Sequence, residues 1–566
     1  TNLFFSSNKE NSNVHHSSEA INLTIAGIAK KEYALLNVFS NDISTAHQEG
    51  IIHIHDLDYI DRPYCSGNSV EYLKKYGLVM DGRGDLTVAK PAKHADVLIL
   101  HLTKFAAALQ GQFAGAIGWD AVNLFIAPYL TGMRYDKIKQ LAQMMIYEFA
   151  QQAVSRGGQV TFTDTNYFWE VPKHFADVPA IGPGGKYTGN NYSDYADEAQ
   201  TFAKAAFEVY LKGDAYGRPF FFPKPDLHIT NKFLKTKGND KFLDLASEVA
   251  AKMGNTYFIF DRGDDVKISE CCRLQFKLSD DDLLDAKNPW KMRYSAMQNV
   301  TINLPRAAYS SNGNEAKLYE NIEHAINLAV KTHLQKKEFI GKILALGSAS
   351  SLPVLTMNLD GEPYYRFDKA SFLIGMLGLN ELVHYMTGEE MHESNNALKF
   401  GLKVISFMKT KADEIGKKYG VHMPLEQTPA ESAAYRLAKL DMEHYPKETK
   451  SVVQGQPGTP YIYYTNSTYF NIGAPMSPVD RVVKEGMFHP LIDAGAMSHV
   501  WLGESQPDPR SISNFVIKTF KNTQNTQIAF SPEITFCKTC HSRMLGLVDK
   551  CEKCANTKIE GVTKCY

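Results

Sequence analysis

Short apolar runs of strand length alternate with amphipathic segments of helical spacing along most of this 566-residue chain. The runs 51–56, 160–168, 220–229, 256–261, 299–304, 461–470 and 499–502 are rich in β-branched and aromatic residues, which fit a pleated, buried surface. Between them, 135–154, 195–211, 316–346, 372–386 and 396–419 carry apolar residues at helical spacing. Strands joined through helices must lie parallel, because such a connection crosses back over the sheet. The pattern predicts an α/β body with much parallel sheet. A hydrophobic fraction of 44% can fill its core and excludes a disordered chain.

Charge narrows the function classes. The 61 basic and 62 acidic residues leave a net charge of -1, so the bulk field draws in neither nucleic acid nor a membrane surface. The most apolar stretch, 97–117, is broken by His101, Lys104, Gln110 and Gln112, and no transmembrane helix is expected. Residues 1–16 are polar and lack the pattern of a signal peptide. A reducing cytoplasm is the expected compartment, because the 8 cysteines are too few and too clustered for a disulfide scaffold.

The cysteine tail carries the sharpest local signal. Cys537 and Cys540, then Cys551 and Cys554, form two Cys-x-x-Cys pairs separated by ten residues. That arrangement suits four thiolates around a structural zinc, a closed tetrahedral shell with no open position for catalysis. The compositional break near 530–532 predicts a body over 1–530 and a zinc-binding tail over 531–566. His541 adjoins a ligand but is redundant in a four-thiolate shell.

Other constellations are open to two readings. Cys271 and Cys272 precede Arg273, which favours thiolate, yet buried packing cysteines fit equally. In 425–432, Thr428 suits an N-cap, Pro429 the first helical position, and Glu431 the partner of a capping box. Such a helix start offers free N–H groups to a phosphate, or is a plain helix start. His53 and His55 are a metal pair or a buried hydrogen-bonded pair. Glu504 follows Gly503 at a strand end, where a catalytic carboxylate or a surface turn would fit.

Taken in order, several segments resemble one family, the class III anaerobic ribonucleotide reductases, which are glycyl-radical enzymes. They are Ala46-His47-Gln48-Glu49-Gly50, His53-Ile54-His55-Asp56-Leu57-Asp58, Ser155-Arg156-Gly157-Gly158-Gln159 and Arg218-Pro219-Phe220-Phe221-Phe222-Pro223. Cys271-Cys272-Arg273, Asn303-Leu304-Pro305-Arg306, Thr428-Pro429-Ala430-Glu431-Ser432 and the four tail cysteines complete the set.

The resemblance implies a ten-stranded α/β barrel threaded by a loop with a cysteine at its tip. It implies that a glycyl radical oxidises that cysteine to a thiyl, which takes the ribose 3′-hydrogen before water leaves C2′. Cys272 matches the radical cysteine, with Cys271 the runner-up. The turn of Thr428, Pro429, Ala430, Glu431 and Ser432 would hold the substrate phosphates. The radical glycine is expected just after Tyr566. The N-terminal ATP-cone of many members has no counterpart in these residues. Implied partners are ribonucleoside triphosphates, dNTP and ATP effectors, a second subunit, and an activase using S-adenosylmethionine and an iron–sulfur cluster. Formate-using members pair a cysteine with an asparagine; here Cys65 supplies the first, while Ser295 or Ala296 stands at the second position. Glu504 with a redoxin-type protein is the alternative to formate. Two rival functions remain: another glycyl-radical lyase or dehydratase, and a zinc-ribbon nucleic-acid-binding protein, which would need a basic face.

Overall fold

The computed structural model describes residues 17–81, 84–154, 158–263, 267–269, 274–277, 284–428, 430–459 and 461–562. Its centre is an eleven-stranded sheet in which Ile52–Ile54 sits off the main path, leaving ten strands in sequence. These are β1 (Ser66–Ser69), β2 (Ile117–Asp120), β3 (Thr163–Tyr167), β4 (Lys224–Ile229), β5 (Tyr257–Phe260), β6 (Tyr294–Asn303), β7 (Ala370–Leu377), β8 (Leu425–Glu426), β9 (Ser498–Gly503) and β10 (Gln527–Pro532).

Register divides the ten into two halves. Strands β1 to β5 pair parallel in chain order. In the second half β6–β7, β7–β8 and β9–β10 are parallel. The halves meet antiparallel at both seams, β1 against β6 and β5 against β10. Closure between β8 and β9 is made by the residues flanking them: Ala494 N donates to Leu425 O (2.9 Å) and Gln427 N to Gly495 O (3.1 Å). The sheet is thus a ten-stranded barrel, as the family resemblance implies, with no unpaired edge. Helices cross over between the parallel strands. They include α1 (Ala95–Gln110), α2 (Tyr135–Gln151), α3 (Ala196–Lys212), α4 (Asn239–Met253), α5 (Glu315–Leu344), α6 (Asn395–Tyr419), α7 (Glu431–His444) and α8 (Pro509–Asn522).

The two barrel faces differ, as period-2 alternation demands. On β5, Phe258 and Phe260 join the large core under the helices, whereas Tyr257 and Ile259 form a separate cluster with Met497 and Ala529 inside the barrel. The interior is otherwise polar: Asp164, Asn166, Asp226, His228, Asn299, Thr301 and Glu426 are all fully buried on inward-facing registers. Burying so many polar groups costs stability unless they pair; Lys224 Nζ, for one, lies 3.6 Å from Asp164 Oδ1 and 3.1 Å from Asp226 Oδ1.

Two expected elements differ. The stretch 372–386, read as helix, is strand β7 followed by a helix, Leu379–Thr387, with Gly378 between them at φ 76°. The run 372–377 carries no polar side chain because both faces are buried, and an uninterrupted apolar run hides its period. The expected strand 461–470 shrinks to Ile462–Tyr463. No helix among the described residues is long and apolar enough to cross a membrane.

Candidate active site and metal centre

The described part of the link from β5 to β6 reaches inside the barrel, where Asn166 of β3 bonds to it. It contains a two-stranded ribbon, Lys267–Ser269 against Gln275–Lys277, in which Ser269 pairs with Gln275. Asn166 of β3 bonds to both backbone groups of Ser269, at 3.0 Å each. On the other arm Gln275 N donates to Ala494 O (2.8 Å), beside the closure of the second half. Ser269 and Leu274 are fully buried. Cys271 and Cys272 lie in the segment between these arms and fall outside the described residues, as do Ser155, Arg156, Gly157 and Pro429. Among the five residues joining Ser269 to Gln275, Cys272 is the central one.

Across the lumen stands a polar strip from β6, β7 and β8. Asn299 Nδ2 donates to Glu426 Oε2, and Thr428 Oγ1 lies 3.2 Å from Thr301 Oγ1 and 3.4 Å from Asn299 Oδ1. Thr301 Oγ1 in turn meets His55 Nε2 at 2.8 Å. Gly375 of β7 makes room for this strip. A Cβ there would lie 1.9 Å from Thr428 Oγ1, 2.6 Å from Thr301 Oγ1 and 2.8 Å from Asn299 Oδ1.

Helix α7 begins at the end of this strip, but the expected capping box does not form. The helix starts at Glu431 with Ala430 as N-cap, and among the described residues no side chain caps it. Thr428 lies two residues too early and spends its hydroxyl on the lumen. Glu431 is the first helical residue, not the third, so it cannot close a box. The uncapped start leaves its first N–H groups without a capping side chain. Ala430 is buried and Ser432 exposed. The Asn-Leu-Pro-Arg motif anchors the same helix: Asp441 of α7 pairs with Arg306 and accepts from Asn303 Nδ2 (3.0 Å) and Tyr464 OH (2.8 Å).

Cys65, just before β1, is fully buried and its Sγ accepts from Ala116 N (3.2 Å). Its backbone carbonyl accepts from Ala296 N (2.9 Å), so the residue opposite it is Ala296. Ser295 takes the opposite face of β6. Glu504 is exposed one residue past β9, where an added Cβ on Gly546 of the tail would meet its Cβ at 3.2 Å. His53 and His55 pack ring to ring, 4.6 Å between centroids, with Arg436 Nη1 3.3 Å from His53 Nδ1. Burial, then the charge of Arg436 among its neighbours, holds His47 at about 3. Both rings of His53 and His55 are half-buried and bond to other residues, not to each other, and among the described residues the tail cysteines are the only group of three or more potential metal ligands to converge.

The tail forms its own small sheet, β11 (Ile534–Cys537), β12 (Arg543–Leu545) and β13 (Ile559–Val562). The sulfurs of Cys537, Cys540, Cys551 and Cys554 all lie within 4.8 Å of one another. Cys537 Sγ is 3.5 Å from Cys554 Sγ, and Cys540 Sγ 3.6 Å from Cys551 Sγ. A zinc tetrahedron with ligand bonds of about 2.3 Å has edges of about 3.8 Å, so the four sulfurs fit that ion. Backbone N–H groups of Cys540 and Cys554 point at Cys537 Sγ and Cys551 Sγ, each at 3.4 Å, as expected where thiolate charge needs stabilising. His541 is turned away and stacks on Tyr216. Arg543 donates to Lys252 O, which ties the tail to the end of α4.

A closed ten-stranded α/β barrel, a cysteine-bearing link reaching into its lumen and a four-thiolate tail define a barrel of the ribonucleotide reductase and glycyl-radical type. A family model described as anaerobic ribonucleoside-triphosphate reductase matches residues 10–565, and the chain belongs to that family. It is similar to the anaerobic ribonucleoside-triphosphate reductase of Escherichia coli (strain K12), with 22% identity over 497 residues, 83% of this chain and 66% of the relative. The corresponding enzyme of Enterobacteria phage T4 is 23% identical over 506 residues, 84% of this chain and 78% of the relative. The chain thus spans just under two thirds of the E. coli relative's length. Its fold matches the anaerobic ribonucleotide reductase from Thermotoga maritima solved with dATP and CTP, with TM-score 0.73, 18% identity, and 96% and 88% of the two chains covered.

Proposed function

We propose that the protein reduces ribonucleoside triphosphates to 2′-deoxyribonucleoside triphosphates by radical chemistry at Cys272. The carrying observation is the ribbon in the lumen. Its two arms are gripped by opposite halves of the barrel, and Cys272 is the central residue of the five that join them. A glycyl radical, which the family implies, supplies the hydrogen-atom abstraction that makes Cys272 a thiyl. Cys272 then takes the ribose 3′-hydrogen and later returns it, which needs near-contact of about 3–4 Å between reacting atoms.

The rest of the chain binds and orients. The phosphates sit on the turn of Thr428, Pro429, Ala430, Glu431 and Ser432, where the uncapped start of α7 offers backbone donors to an anion. That accommodates a triphosphate on a chain of net charge -1. The tail cysteines hold a structural zinc that ties the small tail sheet together. Ala296 opposite Cys65 has no side-chain donor, which favours a redoxin-type protein over formate as reductant; Glu504, open to solvent beside the tail, suits such an encounter. Effector dNTPs or ATP, a second subunit and a radical-SAM activase complete the system. Anaerobic incubation of the activated enzyme with the four ribonucleotides and analysis of the products tests the proposal: 2′-deoxyribonucleoside triphosphates are expected, and their absence from enzyme with a verified glycyl radical refutes it. Ala430→Asp, which sets a negative charge at the turn, should weaken triphosphate binding and spare zinc content.

A further inference from the structure

The two arms of the lumen ribbon are gripped by different means. Gln275 is held by ordinary contacts, to Ala494 O (2.8 Å) and Gln527 Oε1 (3.4 Å). Ser269 is held by the side chain of Asn166, which accepts Ser269 N–H at Oδ1 (3.0 Å) and donates from Nδ2 to Ser269 O (3.0 Å) and Trp119 O (3.1 Å). These bonds fix the amide's orientation, because only its oxygen can accept and only its nitrogen can donate to two carbonyls. The same Oδ1 lies 2.7 Å from His228 Nε2, so that nitrogen has to carry a hydrogen. His228 Nδ1 lies 2.6 Å from Asp261 Oδ2, and this contact also needs a proton. The His228–Asp261 pair therefore holds one proton more than a neutral imidazole beside a carboxylate. Phe168 stacks on the ring at 4.1 Å between centroids.

We propose that Asn166, His228 and Asp261 form a proton-dependent clamp that positions the stem Lys267–Ser269, and with it the segment carrying Cys271 and Cys272. Loss of the shared proton leaves two arrangements. In one, a bare Nδ1 faces the Asp261 carboxylate. In the other, the hydrogen moves to Nδ1 and a bare Nε2 faces Asn166 Oδ1, which turns the amide over and sets its oxygen against Ser269 O. Either arrangement breaks the clamp in a buried site where unpaired polar groups are costly. Asp120 from β2, Asp226 from β4, and Glu170 and His174 beyond β3 also face this pair. Burial opposes the charged ring, but Asp261, Asp120 and Asp226 outweigh it and raise His228 above its usual value.

The clamp rests on the reading that this segment carries the radical cysteine, but its test needs no turnover. The measurement is the rate at which iodoacetamide alkylates the Cys271–Cys272 peptide in the intact, unactivated chain, with zinc content and triphosphate binding as controls of fold. Asn166→Ala releases Ser269, and labelling should be faster by about tenfold or more. Asp261→Asn offers an N–H to Nδ1, so a neutral imidazole with its hydrogen on Nε2 satisfies both neighbours and the clamp holds without the extra proton. That variant should label at the wild-type rate near pH 7. The ratio of wild-type to Asp261→Asn labelling should then rise with pH as the wild-type pair loses its proton. A flat ratio overturns the proposal, and so does a folded Asn166→Ala protein that labels at the wild-type rate. If Asn166→Ala fails to fold, the ratio decides alone. In activated enzyme, Asn166→Ala should lower kcat and leave KM for the triphosphate within about twofold, because a displaced cysteine loses chemistry and not binding.

Discussion

Replacing Gly375 by alanine would set a Cβ 1.9 Å from Thr428 Oγ1, 2.6 Å from Thr301 Oγ1 and 2.8 Å from Asn299 Oδ1. None of these neighbours is the far end of a flexible chain. Thr301 and Asn299 sit on β6, and Thr428 lies two residues past β8, so the strip has to give as a unit. Overpacking of this kind costs about 1–3 kcal/mol. If the strain is relieved by pushing Thr428 and its turn outward, triphosphate binding must restore the turn and loses the same free energy. That corresponds to about 5- to 150-fold weaker binding. Calorimetric titration of wild type and Gly375→Ala with a ribonucleoside triphosphate measures it, with zinc content and a thermal melt as controls. An unchanged dissociation constant in a folded variant would refute the reasoning, since the turn would then be either undisturbed or not the phosphate site.

Three further outcomes are expected. The wild type should hold one zinc per chain, and Cys540→Ser should lose it and disorder the tail sheet, while the barrel's main melting transition shifts little, because the barrel closes without the tail; metal analysis and hydrogen exchange check this. Arg306→Ala strands the fully buried Asp441 carboxylate and should cost about 3 kcal/mol or slightly less, since Asn303 and Tyr464 remain as partners; chemical unfolding measures it. Burial holds His47, His333 and His489 each at about 3, below the usual histidine value. Their stabilising contribution is present above about pH 6.5 and is lost as pH falls toward 3, with a slope of up to about 4 kcal/mol per pH unit if all three titrate on unfolding. His333→Phe should flatten the fall of the melting temperature with acid.

The barrel was legible where strands carry a marked pattern. The runs ending in Ile229, Phe260 and Leu502 are aromatic or β-branched and stand between clear helices. Strand β1, Ser-Gly-Asn-Ser, has no such signal, because two barrel halves bury it from both sides and neighbours supply the contacts its own side chains lack. Over 372–377 strand β7 is apolar on both faces and so passed for a helix. The convergence of the four tail cysteines was readable from spacing alone, since a four-thiolate metal site leaves little geometric freedom. The helix start near Thr428 was legible, but its capping logic was not: Thr428 is drawn into the lumen by Thr301 and Asn299, contacts distant in sequence. Asn166, His228 and Asp261 lie on three different strands or their ends, and no local pattern joins them.

The most direct test of the account compares Cys272→Ala with Cys271→Ala in the activated enzyme under anaerobic conditions, with glycyl-radical content matched by electron paramagnetic resonance. Removing a reacting atom abolishes turnover and leaves binding intact. The expected result is 2′-deoxyribonucleotide product from Cys271→Ala and none from Cys272→Ala, with both variants binding triphosphate as the wild type does. Product from Cys272→Ala would contradict the assignment of the radical chemistry to that residue.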